Sequence, residues 1–484
     1  MINPQLIAPE ILLAVSASLL LGFGVSKTTN RAPIVRIIAI AILLIYSVLS
    51  YVLGSIDDTA FNGALVGDAF GRYVKFFIGI AAAFGLLLAG NYLEREKLDQ
   101  YEFSVLTLYA VLGMSIMVSA NNLLALYIGV EMQALALYVM AAFNRDSLRA
   151  SEAGLKYFVL GALSSGLLLY GISLIYGFTG SLNFTEIGAA VKANGLTRGI
   201  VTGLVFLLCG LGFKISAAPF HMWTPDVYEG APTPVTGFFA AAPKFAAMAL
   251  ITRLVMGPFG EITDQWQQVI IVFAVMSMFI GAIGALRQTN IKRLMAYSSI
   301  ANMGYALVPL AAGTIAGVKG MLIFMTIYII TVIGVFACIL QMRIRDGMVE
   351  RISDLSGLAK TNRGLTIALT VFMLSLMGIP PLLGFFGKLY AFLPAVDANL
   401  IWLVVLALVA SVIGAFYYLR IIKIMWFDEA DLEFIEPVPA LRWTSMIAAI
   451  LLIAIVIIPV VAGTGQAWIG DAAESLTAFA ANTP

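Results

Sequence analysis

Apolar residues recur along the whole chain in stretches of about twenty, and short polar or charged segments separate these stretches. A bilayer core about 30 Å thick needs about 20 apolar residues to be crossed by one α-helix. Counted on that basis, the pattern predicts an all-α polytopic membrane protein with fourteen transmembrane helices. They are expected near residues 9–26, 33–53, 73–92, 103–119, 121–143, 154–178, 199–219, 233–256, 266–286, 295–312, 318–342, 365–395, 399–424 and 442–462.

The distribution of basic residues supports this count and gives an orientation. Most of the 28 lysines and arginines lie in connections that follow odd-numbered helices. Cytoplasmic loops carry an excess of Lys and Arg, so these connections are expected on the cytoplasmic side. Both termini are then expected on the opposite side, which is the periplasmic side of a bacterial inner membrane.

Composition places the whole chain, residues 1–484, in one integral membrane domain. Of its residues 61% are hydrophobic and 11% are charged, whereas about 25% are charged in a typical soluble domain. The formal net charge of +1 offers no basic surface for nucleic acid. Two cysteines in separate apolar segments and a single histidine provide neither a disulfide framework nor a metal or haem site. With no nucleotide-binding glycine motif either, the chain is predicted to hold no cofactor and no metal.

Four charged residues lie deep inside predicted spans: Glu131, Lys214, Lys244 and Lys388. One such charge at a helix centre costs roughly 2.5–3.5 kcal/mol on the insertion scale, so four cost about 10–14 kcal/mol when added. This cost favours a role in moving charge or protons. All three deep cations are lysine, which can release its proton where water is excluded, whereas arginine essentially cannot. The alternative is structural: a protonated Glu131, a Lys214 that reaches the surface, and charges that only hold helices together.

Prolines stand beside the deep lysines. Pro219 follows Lys214, Pro243 precedes Lys244, and Pro380 and Pro381 lie shortly before Lys388. A proline removes a backbone donor and leaves a carbonyl without its helical partner, so helices seven and twelve should break and helix eight should kink. Because unpaired backbone at membrane depth is tolerated only inside protein or beside water, each break indicates a hydrated interior.

The two expected breaks are five helices apart, which predicts two inverted repeats of five helices, helices 4–8 and 9–13. The chain then divides into three N-terminal helices, two repeats, and a C-terminal helix with a tail: residues 1–100, 101–257, 258–425 and 426–484. Two further residues, Lys156 and His221, can each be interpreted in two ways. Lys156 is an interfacial lysine or an inward proton relay, and His221 passes protons or hydrogen-bonds carbonyls exposed by the break.

One stretch, residues 213–235, reads FKISAAPFHMWTPDVYEGAPTPV and is highly specific. It resembles the antiporter-like membrane subunits of the proton-pumping NADH:quinone oxidoreductase, respiratory complex I, and the similarity extends along nearly the whole chain. The chain lacks the long C-terminal extension of subunit L. It also has lysine at position 388, where subunit M typically has glutamate.

The resemblance implies fourteen helices, inverted repeats and discontinuous helices seven and twelve. It also implies roles: Glu131 pairs with Lys214, Lys244 relays protons across the middle, and Lys388 exchanges them with the far side. Lys156 matches a helix-six lysine of the family, which favours its relay role. NADH, FMN, iron–sulfur clusters and quinone are then carried elsewhere in a hetero-oligomeric complex, whose subunit M-like and small subunit K-like members and lipids are the expected neighbours. A multisubunit cation/proton antiporter is the alternative, since it shares this fold.

Overall fold

The computed structural model describes residues 5–25, 30–53, 58–194, 197–345, 347–430, 432–453 and 467–476. This part of the chain is mostly helical, which confirms the predicted all-α membrane class. Strands in the described residues are two short antiparallel hairpins. One pairs β1 (Asp58–Ala60) with β2 (Leu65–Gly67), and the other pairs β3 (Arg343–Ile344) with β4 (Gly347–Met348).

The helices of the first part of the chain are α1 (Ala8–Gly24), α2 (Ala32–Leu53), α3 (Ala69–Arg95), α4 (Tyr101–Val118), α5 (Leu123–Ala141), α6 (Leu148–Thr179), α7 (Phe184–Asn194), α8 (Arg198–Lys214), α9 (Trp223–Gly230), α10 (Thr233–Ala240) and α11 (Ala242–Met256). Those of the second part are α12 (Thr263–Ala285), α13 (Ile291–Ala311), α14 (Ile315–Ile339), α15 (Leu358–Thr361), α16 (Arg363–Met377), α17 (Leu383–Asp397), α18 (Ile401–Phe427) and α19 (Pro439–Ile453). A further helical segment covers residues 467–476.

Nine helical segments of the described chain are long and apolar enough to cross a membrane. They are Ala32–Leu53, Ala69–Arg95, Tyr101–Val118, Leu123–Ala141, Leu148–Thr179, Thr233–Met256, Gly260–Ala285, Ile315–Ile339 and Ile401–Phe427. Three shorter apolar helices, α1, α16 and α19, accompany them. The protein is therefore a multi-span integral membrane protein.

Two predicted spans are divided into two helices each, and a third ends inside an interruption. The span expected near 233–256 consists of α10 and α11, and that near 365–395 of α16 and α17. The span expected near 199–219 contains α8 and ends in the interruption that precedes α9. The sequence pattern also missed α7, an amphipathic helix of 11 residues that buries Ile187 and Val191. A helix this short cannot cross a bilayer, so a count based on span length passes over it.

The helices form one packed interior with an apolar exterior. The apolar window of the α10–α11 segment is buried completely, whereas only 39% of the apolar window is buried in α2, α6 and α18. The outward faces of these three helices carry large apolar side chains such as Ile37, Leu163 and Val412. An apolar exterior is what lipid requires, and α11 therefore lies at the centre of the bundle, away from it.

Small residues bring α4 and α5 into close contact, next to the turn that carries Glu131. A β-carbon on Gly113 would lie 2.5 Å from the backbone nitrogen of Gln133, and one on Gly129 would lie 2.6 Å from that of Met117. Both distances are far below van der Waals contact, so only glycine permits this separation of the two backbones.

The β3–β4 hairpin and the segment after it are fastened to the start of α13. The Glu350 carboxylate pairs with Lys292 Nζ at 2.7 Å and accepts a hydrogen bond from Asn290 Nδ2 at 3.0 Å. Ile291 N donates to the Glu350 carbonyl at 2.8 Å. Burial acts to raise the pKa of the Glu350 carboxyl, but the charge and hydrogen bonds of Lys292 and the amide of Asn290 outweigh it, so the pKa lies below its ordinary value.

The substitution Gly113→Ala tests the close packing of α4 against α5. The added methyl group forces the backbones apart, and we expect a loss of about 1–3 kcal/mol of folding free energy, the usual cost of overpacking. Thermal unfolding of the purified protein in detergent measures it. Gly166→Ala on α6 is the matched control, because its β-carbon meets nothing within 4 Å. The control should be neutral or up to about 1 kcal/mol more stable, and equal behaviour of both variants would contradict the packing argument.

Glu350→Gln tests the anchoring of the hairpin. We expect a loss of up to about 3 kcal/mol near neutral pH, the low end for breaking a buried pair, since 18% of the Glu350 side chain is exposed. The pKa of Glu350 is lower in the folded state, so its contribution is complete above the ordinary pKa of 4.5 and disappears as pH falls through the folded value. Unfolding temperatures of wild type and variant should therefore converge at acid pH. Glu433→Gln at an exposed site should show no such convergence.

Candidate functional site

Lys214 is the last residue of α8, at the edge of the interruption before α9. Pro219 lies within that interruption, where it cannot donate a backbone hydrogen bond. Polar side chains satisfy part of the exposed backbone: Trp223 Nε1 donates to the carbonyl of Phe213 at 3.0 Å, and Ser277 Oγ accepts from Ala218 N at 2.8 Å. Residues 215–218 of this irregular segment are enclosed by protein, as a membrane interior requires, whereas Pro219 and Met222 are exposed on the surface of the chain.

Glu131 on α5 lies next to Lys214 in the interior of the bundle. The distance from Lys214 Nζ to Glu131 Oε1 is 3.9 Å, which is an ion-pair distance beyond hydrogen-bond reach. Ser165 Oγ on α6 donates a hydrogen bond to the same carboxylate oxygen. The Lys214 side chain is 6% exposed and that of Glu131 is 24% exposed. The two opposite charges are thus paired loosely, with the carboxylate nearer the edge of the packed interior.

The ammonium of Lys214 has few other partners. Within the described part of the chain, its Nζ makes no hydrogen bond. It lies 5.9 Å from the ring centroid of Tyr138 and 5.8 Å from that of Phe213, both within the range of cation–π attraction. The donors of a buried ammonium need acceptors, so this arrangement suits a group whose partner is water.

Lys244 lies at the centre of the bundle, on the first turn of α11. Ala241 separates α10 from α11, and Pro243 stands at the second position of α11. Lys244 is 1% exposed, and its Nζ donates a hydrogen bond to Ser299 Oγ of α13. The ring of Tyr228 lies 5.2 Å away. Among the described residues, no carboxylate is within ion-pair distance of this amine, which leaves it with neutral partners.

Lys388 occupies α17, just after the interruption of the predicted twelfth span. Its Nζ donates to the carbonyl of Met377 at 2.9 Å and to Ser411 Oγ at 2.7 Å, and it lies 4.8 Å from the ring centroid of Tyr305. Met377 is the last residue of α16, and its helical partner four residues on would be Pro381, which has no N–H. The proline therefore leaves one carbonyl without a backbone donor, and the ammonium binds to it.

Lys156 lies apart from these groups, in a charged cluster near the start of α6. Its Nζ is 2.8 Å from Glu152 and 2.9 Å from Asp226, and its side chain is 43% exposed. Arg293 binds the same Asp226 at 2.8 Å and Glu229 at 2.9 Å. The described structure records no contact of Lys156 with Glu131 or Lys214. The geometry therefore agrees with an interfacial lysine, and a relay role for Lys156 stays a prediction.

His221 lies in the interruption between α8 and α9 and is half-buried. Its backbone carbonyl accepts a hydrogen bond from Thr224 N at 2.9 Å. Its side-chain Nδ1 is buried without a hydrogen-bond partner among the described residues. The His221 side chain also hydrogen-bonds the backbone of Pro219, which agrees with the interpretation that it binds carbonyls exposed by the break, and its role in passing protons stays a prediction.

A buried ion pair that sequence reasoning missed lies between Glu10 of α1 and Lys75 of α3. Lys75 Nζ lies 2.5 Å from Glu10 Oε1, and the side chains of Glu10 and Lys75 are 10% and 7% exposed. Ser115 Oγ donates to Glu10 at 2.7 Å, and Tyr46 Oη donates to Ser115 at 2.9 Å. Both charges lie inside predicted spans, near 9–26 and 73–92, but close enough to the ends to be counted as terminal. The opposite charges of Glu10 and Lys75 were the feature of the sequence that could have predicted their pairing.

A second missed pair joins Asp68 to Arg253. The guanidinium of Arg253 binds both carboxylate oxygens, at 2.7 and 2.8 Å, and its Nε donates to the carbonyl of Val118 at 2.8 Å. Asp68 also caps α3 by accepting from Gly71 N. This two-point ion pair fixes the end of α11 against α3 and α4, which is a structural role.

Comparisons with known proteins identify the family of the chain. Residues 120–414 match the family model described as NADH:quinone oxidoreductase/Mrp antiporter, TM. The chain is 55% identical over 447 residues to NADH-quinone oxidoreductase subunit N of Maricaulis maris (strain MCS10), covering 92% of this chain and 93% of that protein. A chain of respiratory complex I from Thermus thermophilus, solved with bound aureothin, has a TM-score of 0.79 at 32% identity and covers 93% of this chain and 97% of its own.

A chain of the Mrp complex from Dietzia sp. DQ12-45-1b has a TM-score of 0.83 at 20% identity, covering 98% of both chains. Identity at this level shows a shared fold and no more. The relatives at higher identity confirm the resemblance found in residues 213–235 and, among the antiporter-like subunits, favour subunit N. The chain therefore belongs to the family of NADH-quinone oxidoreductase subunit N, the membrane subunits of NADH:quinone oxidoreductase.

Proposed function

We propose that this chain carries protons across the membrane through Glu131, Lys214, Lys244 and Lys388, as a subunit of an NADH:quinone oxidoreductase. The single observation that carries the proposal is the burial of three lysines, each beside a helix interruption. Such interruptions are tolerated in a membrane where they line a wet interior. Ionisable groups in that setting usually mark an ion or proton path.

The proposed architecture has fourteen transmembrane helices in two inverted repeats. It is supported by the interruptions between α8 and α9 and between α16 and α17, which fall in the seventh and twelfth predicted spans. The two repeats enter the membrane from opposite sides, so one interrupted helix serves each side. Both termini face the periplasm of a bacterial inner membrane in this arrangement, as the distribution of basic residues predicts.

The first step takes place at the Glu131–Lys214 pair. Its separation of 3.9 Å leaves room for the amine to approach the carboxylate or to turn away toward water. A nearby carboxylate favours the charged amine, and its withdrawal favours release of the proton. A conformational or electrostatic change that begins at the quinone elsewhere in the complex would alter this pairing and so load or unload Lys214.

The later steps use Lys244 at the centre and Lys388 beyond it. Lys244 has a hydroxyl partner and no carboxylate partner among the described residues, so nothing there holds its proton permanently. Lys388 is held by a backbone carbonyl and a hydroxyl, and it exchanges protons with the far side. Lys156 and His221 are candidate relays that bring protons to Lys214.

The redox chemistry belongs to other subunits. NADH, FMN, the iron–sulfur clusters and quinone are placed elsewhere in the complex, and this chain supplies the protein groups that move protons. Its neighbours in the membrane are a subunit M-like and a small subunit K-like chain, together with lipids, in a hetero-oligomer. The apolar outward faces of α2, α6 and α18 supply area for such neighbours.

A cation/proton antiporter of the multisubunit kind is the second candidate, and the fold shared with the Mrp chain is what favours it. The same charged residues would serve both functions, so they do not separate them. The two candidate functions differ in the partner subunits that they require and in the ions that are transported. Co-purification of NADH-oxidising subunits supports the oxidoreductase, whereas sodium-dependent proton transport without them supports the antiporter.

Substitution of the pair tests the first step. In the assembled complex, Lys214→Ala or Glu131→Gln should slow pumping-coupled NADH:quinone turnover at least tenfold, which requires only about 1.4 kcal/mol of added barrier. Proton uptake into membrane vesicles, measured alongside NADH oxidation, gives the readout. Lys360→Ala at an exposed position is the control and should leave both unchanged. Full pumping in both test variants would refute the scheme, and loss of assembly with normal pumping in what remains would favour a scaffold.

Substitutions that conserve charge test whether the deep lysines transfer protons or only supply a positive charge. Lys244→Arg and Lys388→Arg keep the positive charge but remove a group that can release its proton. We expect both variants to lose coupled pumping at least tenfold while the complex still assembles. Lys319→Arg, at an ion pair with Glu474 whose lysine is 39% exposed, is the matched control and should pump normally. Normal pumping by the two deep variants would show that charge alone is needed.

A further inference from the structure

Lys244 and Lys388 are not joined directly, since no hydrogen bond between described residues connects the two amines. Two hydroxyl groups stand on the Lys244 side of this gap. Lys244 Nζ donates to Ser299 Oγ on α13, and Ser299 Oγ is 2.7 Å from Tyr328 Oη on α14. All three residues are buried, with exposures of 1%, 2% and 4%. A continuous row of hydrogen-bonding groups therefore leads from the central amine across α13 to α14.

A small cavity continues this row toward Lys388. It has a volume of about 20 Å³, and Tyr328, Asn302, Ser375 and Lys388 lie in its wall. A cavity of this kind needs about 10–15 Å³ to hold one water molecule. Ser375 is 1% exposed, and its Oγ has no hydrogen-bond partner among the described residues. A buried hydroxyl is costly without a partner, so its presence in the wall indicates a bound water.

We infer that Ser299, Tyr328 and one water molecule beside Ser375 form the proton link between Lys244 and Lys388. This inference rests on the proposed function, since it needs both lysines to carry protons. Hydroxyl groups and water both donate and accept hydrogen bonds, so each can take a proton on one side and give one up on the other. Neither Ser299 nor Tyr328 has to hold a charge between transfers.

The transfer balances in protons and involves no change of oxidation state. The ammonium of Lys244 gives a proton to Ser299 Oγ, whose own proton passes to Tyr328 Oη. Tyr328 gives its phenolic proton to the water, and the water gives one to the neutral amine of Lys388. One N–H bond is broken at Lys244 and one is formed at Lys388, and every oxygen ends with the number of hydrogens with which it began. Rotation of the hydroxyls then restores the row.

The chain supplies a matched control for each hydroxyl. Ser298 precedes Ser299 on α13, and its Oγ is 2.6 Å from Tyr418 Oη on α18. This neighbouring Ser–Tyr pair is equally buried but makes no hydrogen bond with Lys244 or Lys388 in the described structure. Asn302 of the cavity wall donates to the Ser298 carbonyl at 2.8 Å, a bond that Ser298→Ala retains. Ser298→Ala and Tyr418→Phe thus remove the same atoms as Ser299→Ala and Tyr328→Phe, from a pair outside the proposed link.

The experiment measures protons pumped per NADH oxidised by the assembled complex in membrane vesicles. Tyr328→Phe and Ser299→Ala should lower coupled pumping at least tenfold, while Tyr418→Phe and Ser298→Ala retain it. Ser375→Ala removes a hydroxyl that has no hydrogen-bond partner among the described residues, so it tests the water site with little risk to folding, and it should also lower pumping. If Tyr328→Phe fails to assemble, Ser299→Ala and Ser375→Ala decide the question.

The failure of this link and the failure of the proposed function give different results. Loss of pumping in Lys244→Arg and Lys388→Arg, with normal pumping in Tyr328→Phe, Ser299→Ala and Ser375→Ala, overturns the link and leaves the function standing. Normal pumping in all five variants overturns both. A high-resolution map of the complex is the second measurement. Water at about 3 Å from Ser375 Oγ supports the link, and a dry cavity there overturns it.

Discussion

An ammonium group inside a membrane must find acceptors for its three donors, and this requirement organises the interior of the protein. Proline supplies one of the acceptors at Lys388. Because Pro381 has no N–H, the carbonyl of Met377 lacks its helical donor and accepts a hydrogen bond from Lys388 instead. The unpaired carbonyl at the helix interruption and the buried ammonium would each be costly alone. Here the carbonyl accepts the hydrogen bond that the ammonium donates, so each group supplies the partner that the other needs. A straight helix with lysine at this position would leave the ammonium without that partner.

The three lysines differ in the partners of their amines. Among the described residues, Lys214 has a carboxylate at 3.9 Å and no hydrogen bond, Lys244 has a hydroxyl, and Lys388 has a carbonyl and a hydroxyl. The partner with full charge is also the most loosely placed. The interaction of two opposite full charges depends on the distance between them, so a change in the Lys214–Glu131 distance would change the proton affinity of Lys214.

The sequence was sufficient for the membrane class, for the deep charges and for the prolines beside them, because span length and proline chemistry are local properties. Other parts depend on contacts between residues distant in the chain, which no local pattern encodes. The Glu10–Lys75 and Asp68–Arg253 pairs and the Ser299–Tyr328 bond are of this kind. The pairing of Glu131 with Lys214 was expected only through family resemblance. Ser299 and Tyr328 gave no signal, since serine and tyrosine are common in membrane helices.

The position of α11 explains why the proposed central transfer would need neighbouring helices. This helix is enclosed on all sides, so Lys244 has no direct route to either surface and depends on groups that α13 and α14 present. Interrupted segments also lie on either side of the centre, α8 with α9 and α16 with α17, and the prolines of these two interruptions are exposed, unlike the enclosed centre. In the proposed scheme, water can therefore approach each end separately. Continuous water across the centre would let protons flow back, and the proposed row of two hydroxyls and a single water site would restrict that flow.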